Sequence, residues 1–307
     1  MPISLESLTL RELHAAYREA RLDPVTVAQH CLALAGAAEP GLFTCLLEER
    51  ALAEAQASRA RWQAGQPLGP LDGVPVVWKD LFDVAGTPTT AASALRRNAP
   101  PAEQDAATVA ALTAAGAVCI GKTGLTEFAY SGLGLNPHFG TPRNRRSTDA
   151  HRSPGGSSSG SAVAVDAGMA LIGMGTDTGG SVRIPAAFNG LVGFKPSIGR
   201  LDSTGVFPLS ATLDVIGPIA KTVQDCAWAY YALRGSTAPH LQLPQPGTLR
   251  VVVPSNVVLD EAQPEVLARF EAVLARLRAA GAQVQHLHIP AFDAVQALTV
   301  QHGTIPA

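Results

Sequence analysis

PGGSSSGSAVAVDAGMALIGMGTDTGGSVRIPAAFNGLVGFKPSIGR, residues 154–200, decides how the chain folds. It carries two Gly/Ser knots, Gly155–Ser161 and Thr178–Ser181, separated by a run of small, mostly apolar residues, Ala162–Gly175. That run is too regular for a linker, because flexible linkers are not followed by segments able to pack. The turn chemistry predicts a loop, a short helix over Ser161–Ala167, a strand over Met169–Met174, then a second tight loop. Glycines let two backbones approach closely and adopt positive φ where a side chain would clash. Successive amides in such a turn can converge on one spot and hold negative charge. A serine delivered by each knot suggests a nucleophile and a helper. Neither GxGxxG nor GxxxxGK[ST] occurs in this stretch, which weighs against a phosphate-binding loop.

Gly155–Ala162 followed by Gly175–Pro196 resembles the signature of the amidase signature family of serine hydrolases. Both knots stand in a fixed order and separation, and the similarity runs from about residue 7 to the end, densest over 71–222. The resemblance implies an α/β fold with one mixed, largely parallel sheet covered by helices on both faces. It implies a Ser–Ser–Lys system with no metal, no cofactor and no histidine. On this chain Ser181 would be the nucleophile, Ser157 the proton relay held by a cis peptide, and Lys79 the neutral base. The amides of Thr178, Gly179, Gly180 and Ser181 would form the oxyanion hole. Asp177 and Arg183 would brace the turn, Ser158 would support Lys79, and Phe128 and Tyr130 would help wall the substrate pocket. One departure stands out: the family pattern GGSSGGS has glycine where this chain has Ser159. If that position needs positive φ, the serine strains the loop by roughly 1–2 kcal/mol.

Composition sets the outer bounds. The 307 residues are 47% hydrophobic and 16% charged, with 29 Gly and 23 Pro, which describes a globular chain with many turns. A net charge of −2 and no basic tail give no nucleic-acid footprint. Cys31, Cys45, Cys119 and Cys226 are widely spaced, with no CxxC pair and no metal-ligand spacing, so free buried thiols are expected. MPISLESLTL lacks the pattern of a signal peptide, and no run of about 18 apolar residues forms a membrane span. A soluble, cytoplasmic protein follows, acting on a small-molecule amide without nucleic acid or membrane. A homodimer is left open.

Along the chain, Thr9 with Glu12 reads as a capping box and Asp23-Pro24 as a second helix start. Leu42–Leu47 reads as a strand and Glu48–Ala64 as a helix closed by Gly65. The apolar strand Val74–Trp78 then runs straight into Lys79. A strand-end lysine is usually exposed, but one desolvated beside Val77 and Trp78 has a lowered pKa and can serve a serine as base. Lys122, between Gly121 and Thr123, rivals it and reads as structural. Arg143, Arg145 and Arg146 read as a solvated loop, since no aromatic residues interleave with them. Residues 1–70 form an N-terminal helical layer, 71–222 the core and 223–307 a partial C-terminal portion of a single domain 1–307. Arg250–Pro254, Gln263–Ala280 and Gln283–His288 read as strand, helix and strand, and Pro239–Thr248 as a Pro-rich connection. Phe292–Val300 begins a helix, and Gly303–Ala307 leads into a further element. Family members usually continue beyond this length. The chain therefore reads as truncated, with low stability and weak or absent activity expected.

Three rival readings stand beside the amidase. A Ser–His–Asp hydrolase needs a GxSxG elbow, which the first knot does not supply, and no histidine lies between His151 and His240. A binding module or inactive scaffold would leave Ser181 unreactive. The amidase-type subunit of a glutamyl-tRNA(Gln) amidotransferase shares the same three residues, but Leu201–Ser210 looks more like the free-standing amidases.

Overall fold

A computed structural model describes residues 5–236 and 244–302; Gly303–Ala307 and part of Pro239–Thr248 lie outside them. The chain divides into two units, Met1–His240 and Leu241–Ala307. The first unit opens with α1 (Leu10–Arg18), α2 (Pro24–Gly36), β1 (Phe43–Leu46), α3 (Glu48–Gln63) and β2 (Pro75–Lys79). It continues through α4 (Ala107–Ala114), β3 (Val118–Thr123), α5 (Ser159–Asp166) and β4 (Ile172–Asp177). It closes with α6 (Arg183–Phe188), β5 (Val192–Gly193), β6 (Val215–Ala220) and α7 (Val223–Leu233). Local chemistry sets the first helix starts. Thr9 and Glu12 cap each other reciprocally, and Asp23 Oδ1 accepts from the amides of Val25 and Thr26 with Pro24 at the first helical position.

The six-stranded sheet has the order β1-β3-β2-β4-β6-β5. β2 pairs in parallel with β3 and with β4, whereas β1 against β3, β6 against β4 and β5 against β6 are antiparallel. The sheet is therefore mixed: β2, β3, β4 and β5 point one way, and parallel pairing is confined to the centre. Parallel neighbours need a crossover, which α4 provides from β2 to β3. Every residue of β2, β3, β4 and β6 is buried, so both faces of the sheet are covered.

All eight residues of α5 are buried as well. This explains the small residues between the two knots. A Cβ at Gly160 would stand 2.6 Å from the Leu42 carbonyl oxygen, and one at Gly173 of β4 would stand 2.7 Å from that of Ser161. The helix begins at Ser159, earlier than its sequence pattern indicates, and β4 runs on to Asp177. The second shift is tertiary in origin, because Gly175, Thr176 and Asp177 pair with Gly217, Ile216 and Val215 of β6.

Gly116–Thr123 spells GxxxxGK[ST], yet Val118–Thr123 is a buried strand and Lys122 is held by protein atoms. Its Nζ lies 2.7 Å from Asp80 Oδ1, 2.7 Å from the Pro88 carbonyl and 2.9 Å from Thr89 Oγ1. Asp80 also accepts from the Thr90 hydroxyl, so the pair braces the Thr87–Ala92 loop. Both charges are fully buried, so removing one partner strands the other. Asp80→Ala is expected to cost about 3–5 kcal/mol in urea unfolding, and Asp80→Leu with Lys122→Met to cost less.

In the second unit, β7 (Arg250–Pro254), α8 (Pro264–Ala279) and β8 (Gln283–Leu287) make a βαβ crossover, with β7 and β8 parallel. The helix α9 (Pro290–His302) follows. No helix among the described residues is long and apolar enough to cross a membrane. Cys31, Cys119 and Cys226 are buried free thiols, and Cys45 is half-buried and free.

Candidate active site

The neighbouring strands β2 and β4 end at Lys79 and Asp177, which places both C-terminal ends beside the Gly/Ser knots. Lys79 is fully buried. Its Nζ donates to Ser157 Oγ at 2.7 Å and to Thr176 Oγ1 at 2.8 Å, with the Thr176 carbonyl at 3.5 Å. All these acceptors are uncharged. Burial pushes the Lys79 pKa down to about 7, against the upward pull of Asp214 and Asp177. Lys122 is equally buried but rests against a carboxylate, a partner that Lys79 lacks.

The two knots are joined directly. The Ser158 amide donates to the Ser181 carbonyl at 3.2 Å, and the Ser157 carbonyl accepts from the Thr126 amide at 3.2 Å. The Gly156–Ser157 peptide is cis. A Cβ at Gly156 would stand 2.5 Å from the Gly134 nitrogen, so the loops meet only because neither carries a side chain there. Gly180 has φ +131°, and a Cβ on it would press on Ile184 at 2.6 Å. Gly179 is exposed with open space around it, which makes this turn the open side of the site.

Two carboxylates pin the Ser181 turn. Asp177 accepts from the amides of Gly180 (2.7 Å), Val182 (3.2 Å) and Arg183 (3.3 Å) and from Arg183 Nε and Nη2, both at 2.9 Å. Burial alone would raise its pKa, but Arg183 and these amides hold it below the ordinary carboxylate value. Asp214 accepts from the Thr178 hydroxyl at 2.5 Å and from the Leu209 and Ser210 amides at 2.8 and 3.0 Å. Ser181 itself is buried but not sealed, at 8% exposure.

Several sequence expectations need adjustment. Ser158 Oγ reaches the Thr176 carbonyl, at a long 3.4 Å, rather than Lys79. The Gly180 amide is committed to Asp177, so it points away from the role expected of it in an oxyanion hole. Ser159 opens α5 outside the left-handed region, and the expected strain is absent. Its hydroxyl is instead buried with no hydrogen-bond partner. Ser159→Ala is accordingly expected to raise stability by about 1 kcal/mol in denaturant unfolding. Phe128 is half-buried against an apolar cluster, and Tyr130 is 65% exposed. The arginine loop is less free than its composition indicates: Arg146 pairs with Asp166 at 2.5 Å, and Arg145 with Glu6 at 2.9 Å. Thr176, the second partner of Lys79, escapes sequence reasoning. The only signal for it is a polar residue near the end of a buried strand, one step before Asp177.

The amidase family model matches residues 27–304, and the chain belongs to that family. It is 42% identical over 296 residues to the 2-amino-5-chloromuconic acid deaminase of Comamonas testosteroni, covering 93% of this chain and 63% of that protein. It is 37% identical over 302 residues to a glutamyl-tRNA(Gln) amidotransferase subunit of Symbiobacterium thermophilum, covering 93% and 61%. Among solved structures, the native peptide amidase of Stenotrophomonas maltophilia superposes with a TM-score of 0.80 at 30% identity, covering 98% of this chain and 67% of that one. The chain thus spans about three fifths of the length of these two curated relatives.

Proposed function

We propose that the protein hydrolyses a carboxylic amide to the acid and ammonia or an amine through an acyl-enzyme on Ser181. The observation that carries this reading is the buried Lys79 Nζ, held by uncharged oxygens and 2.7 Å from Ser157 Oγ. Ser181 Oγ attacks the amide carbon and passes its proton to Ser157 Oγ, which passes its own to neutral Lys79. Lys79 then returns a proton by the same route to the departing nitrogen, and the C–N bond breaks. Water, deprotonated along the same path, releases the acid and restores Ser181. The amides of Thr178, Gly179 and Ser181 are the oxyanion donors in this scheme, each worth about 3 kcal/mol to the tetrahedral intermediate. Asp177, Arg183 and Asp214 hold the turn in shape. Free cysteines throughout the described residues agree with a reducing, cytoplasmic setting.

The test is a fluorophosphonate serine probe followed by peptide mapping, run beside an amide panel with ammonia detection. Label at Ser181 with turnover supports the hydrolase, whereas label without turnover marks an inactive member. No label on folded protein supports the scaffold reading. Relatives named as glutamyl-tRNA(Gln) amidotransferase subunits match no better than the amidases. Glutamine hydrolysis that appears only with a partner protein would favour that alternative. The name of the muconic acid deaminase denotes a substrate bearing carboxyl groups, which makes an acidic amide the first class to try.

A further inference from the structure

An apolar cluster of Leu81, Ala91, Ala92, Leu125 and Ala129 lies beside the site, flanked by Phe128 and Phe207. Leu81 follows Lys79 by two residues, and its carbonyl accepts from the Phe207 amide at 2.8 Å. From the other side, Phe128 follows Thr126, whose amide donates to the Ser157 carbonyl. The two phenylalanine rings are 5.9 Å apart. Above Phe207 lies the Arg96 guanidinium, its Cζ 4.7 Å from the ring centroid. Arg96 Nε donates to the Thr89 carbonyl at 3.1 Å, and Thr89 belongs to the loop braced by Lys122 and Asp80.

Arg96 is half-buried, yet among the described residues its Nη atoms make no hydrogen bond and no carboxylate lies within ion-pair distance. Arg50, Arg61, Arg146 and Arg183 by contrast each hold a carboxylate. A guanidinium clamped at Nε and over a ring, with its Nη pair unused, presents the planar fork that binds a carboxylate bidentately. Two carboxylates flank this rim, and neither pairs with Arg96 among the described residues: Glu127 is engaged by the Ser93 hydroxyl at 2.6 Å and faces His138 at 3.8 Å, and Asp83 accepts from the Thr89 hydroxyl at 2.7 Å. We infer that Arg96 receives a carboxylate of the substrate, so that the site takes anionic amides whose acid group lies along Phe128 and Phe207. This specificity rests on the amide-hydrolysis reading above.

The test compares dicarboxylic monoamides of increasing length with the neutral methyl-ketone amides of the same length. It uses the full 307-residue chain as wild type, Arg96→Lys and Arg96→Leu. At the fitting length, wild type should prefer the acid by at least about tenfold in kcat/KM, carried mainly by KM. Arg96→Leu should bring that ratio close to one, and Arg96→Lys should keep part of it. No preference in wild type at any length, or an unchanged preference in Arg96→Leu, overturns the assignment. If wild type releases ammonia from no amide, the hydrolase reading fails instead. Calorimetric titration with the free dicarboxylates then decides the carboxylate site by itself. Binding lost in Arg96→Leu upholds it, and equal binding, or none by wild type, removes it.

Discussion

Ser181→Ala should lower amide turnover by at least about 10⁴-fold, because it removes the atom that bears the acyl group and leaves only binding and oxyanion stabilisation. The fold should survive. Ser181 is held through its main chain, by the Ser158 amide on its carbonyl and by the Asp177 clamp on the following amides, and none of these bonds uses its hydroxyl. Steady-state ammonia release, with a melting curve alongside, checks the expectation. Ser157→Ala should be severely impaired as well, since Lys79 then has no path to the nucleophile. A Ser181→Ala protein retaining more than a small fraction of activity would reassign the nucleophile.

The second large effect is in pH. With a pKa near 7, Lys79 is protonated in acid and free to accept a proton above neutrality. The value of kcat/KM should therefore rise about tenfold per unit below pH 7 and level off above about pH 8. An exposed lysine near 10.4 would leave the enzyme almost inactive across that range. Lys79→Met should lose about 10²–10⁴-fold in rate and lose the inflection with it. Stability carries the same signature. Between about pH 7 and 10.4 the unfolded chain binds a proton on Lys79 that the folded chain has lost. Stability from this group therefore rises with pH through that window and is lowest below it. Lys79→Met removes that slope, which urea midpoints at pH 7 and 9.5 would show. A flat rate profile from roughly pH 6 to 9 with intact binding would count against Lys79 as the base.

Much of the framework is legible in local chemistry. The caps at Thr9 and Asp23 and the glycine stop at Gly65 rest on neighbouring residues alone, and each lies where the residue pattern puts it. The glycine requirement of the knots is legible too, because it reflects a backbone need that few residues can meet. Boundaries are less so. β4 runs to Asp177 because β6 pairs with it from some forty residues away, and no local pattern announces that pairing.

Residue order alone thus suffices for the family, for the alternation of strands and helices and for the turns that carry the serines. The residues beside the two lysines in the chain already favour Lys79 as the base and Lys122 as structural, but the physical cause of the difference emerges only when the chain is folded. Lys79 closes one buried strand and Lys122 stands one residue before the end of another. Asp80 turns towards Lys122, while Thr176, brought from a neighbouring strand, meets Lys79 with a hydroxyl instead of a charge. A lysine's protonation depends on the charges and dielectric around its nitrogen, and those are set by residues distant in the chain.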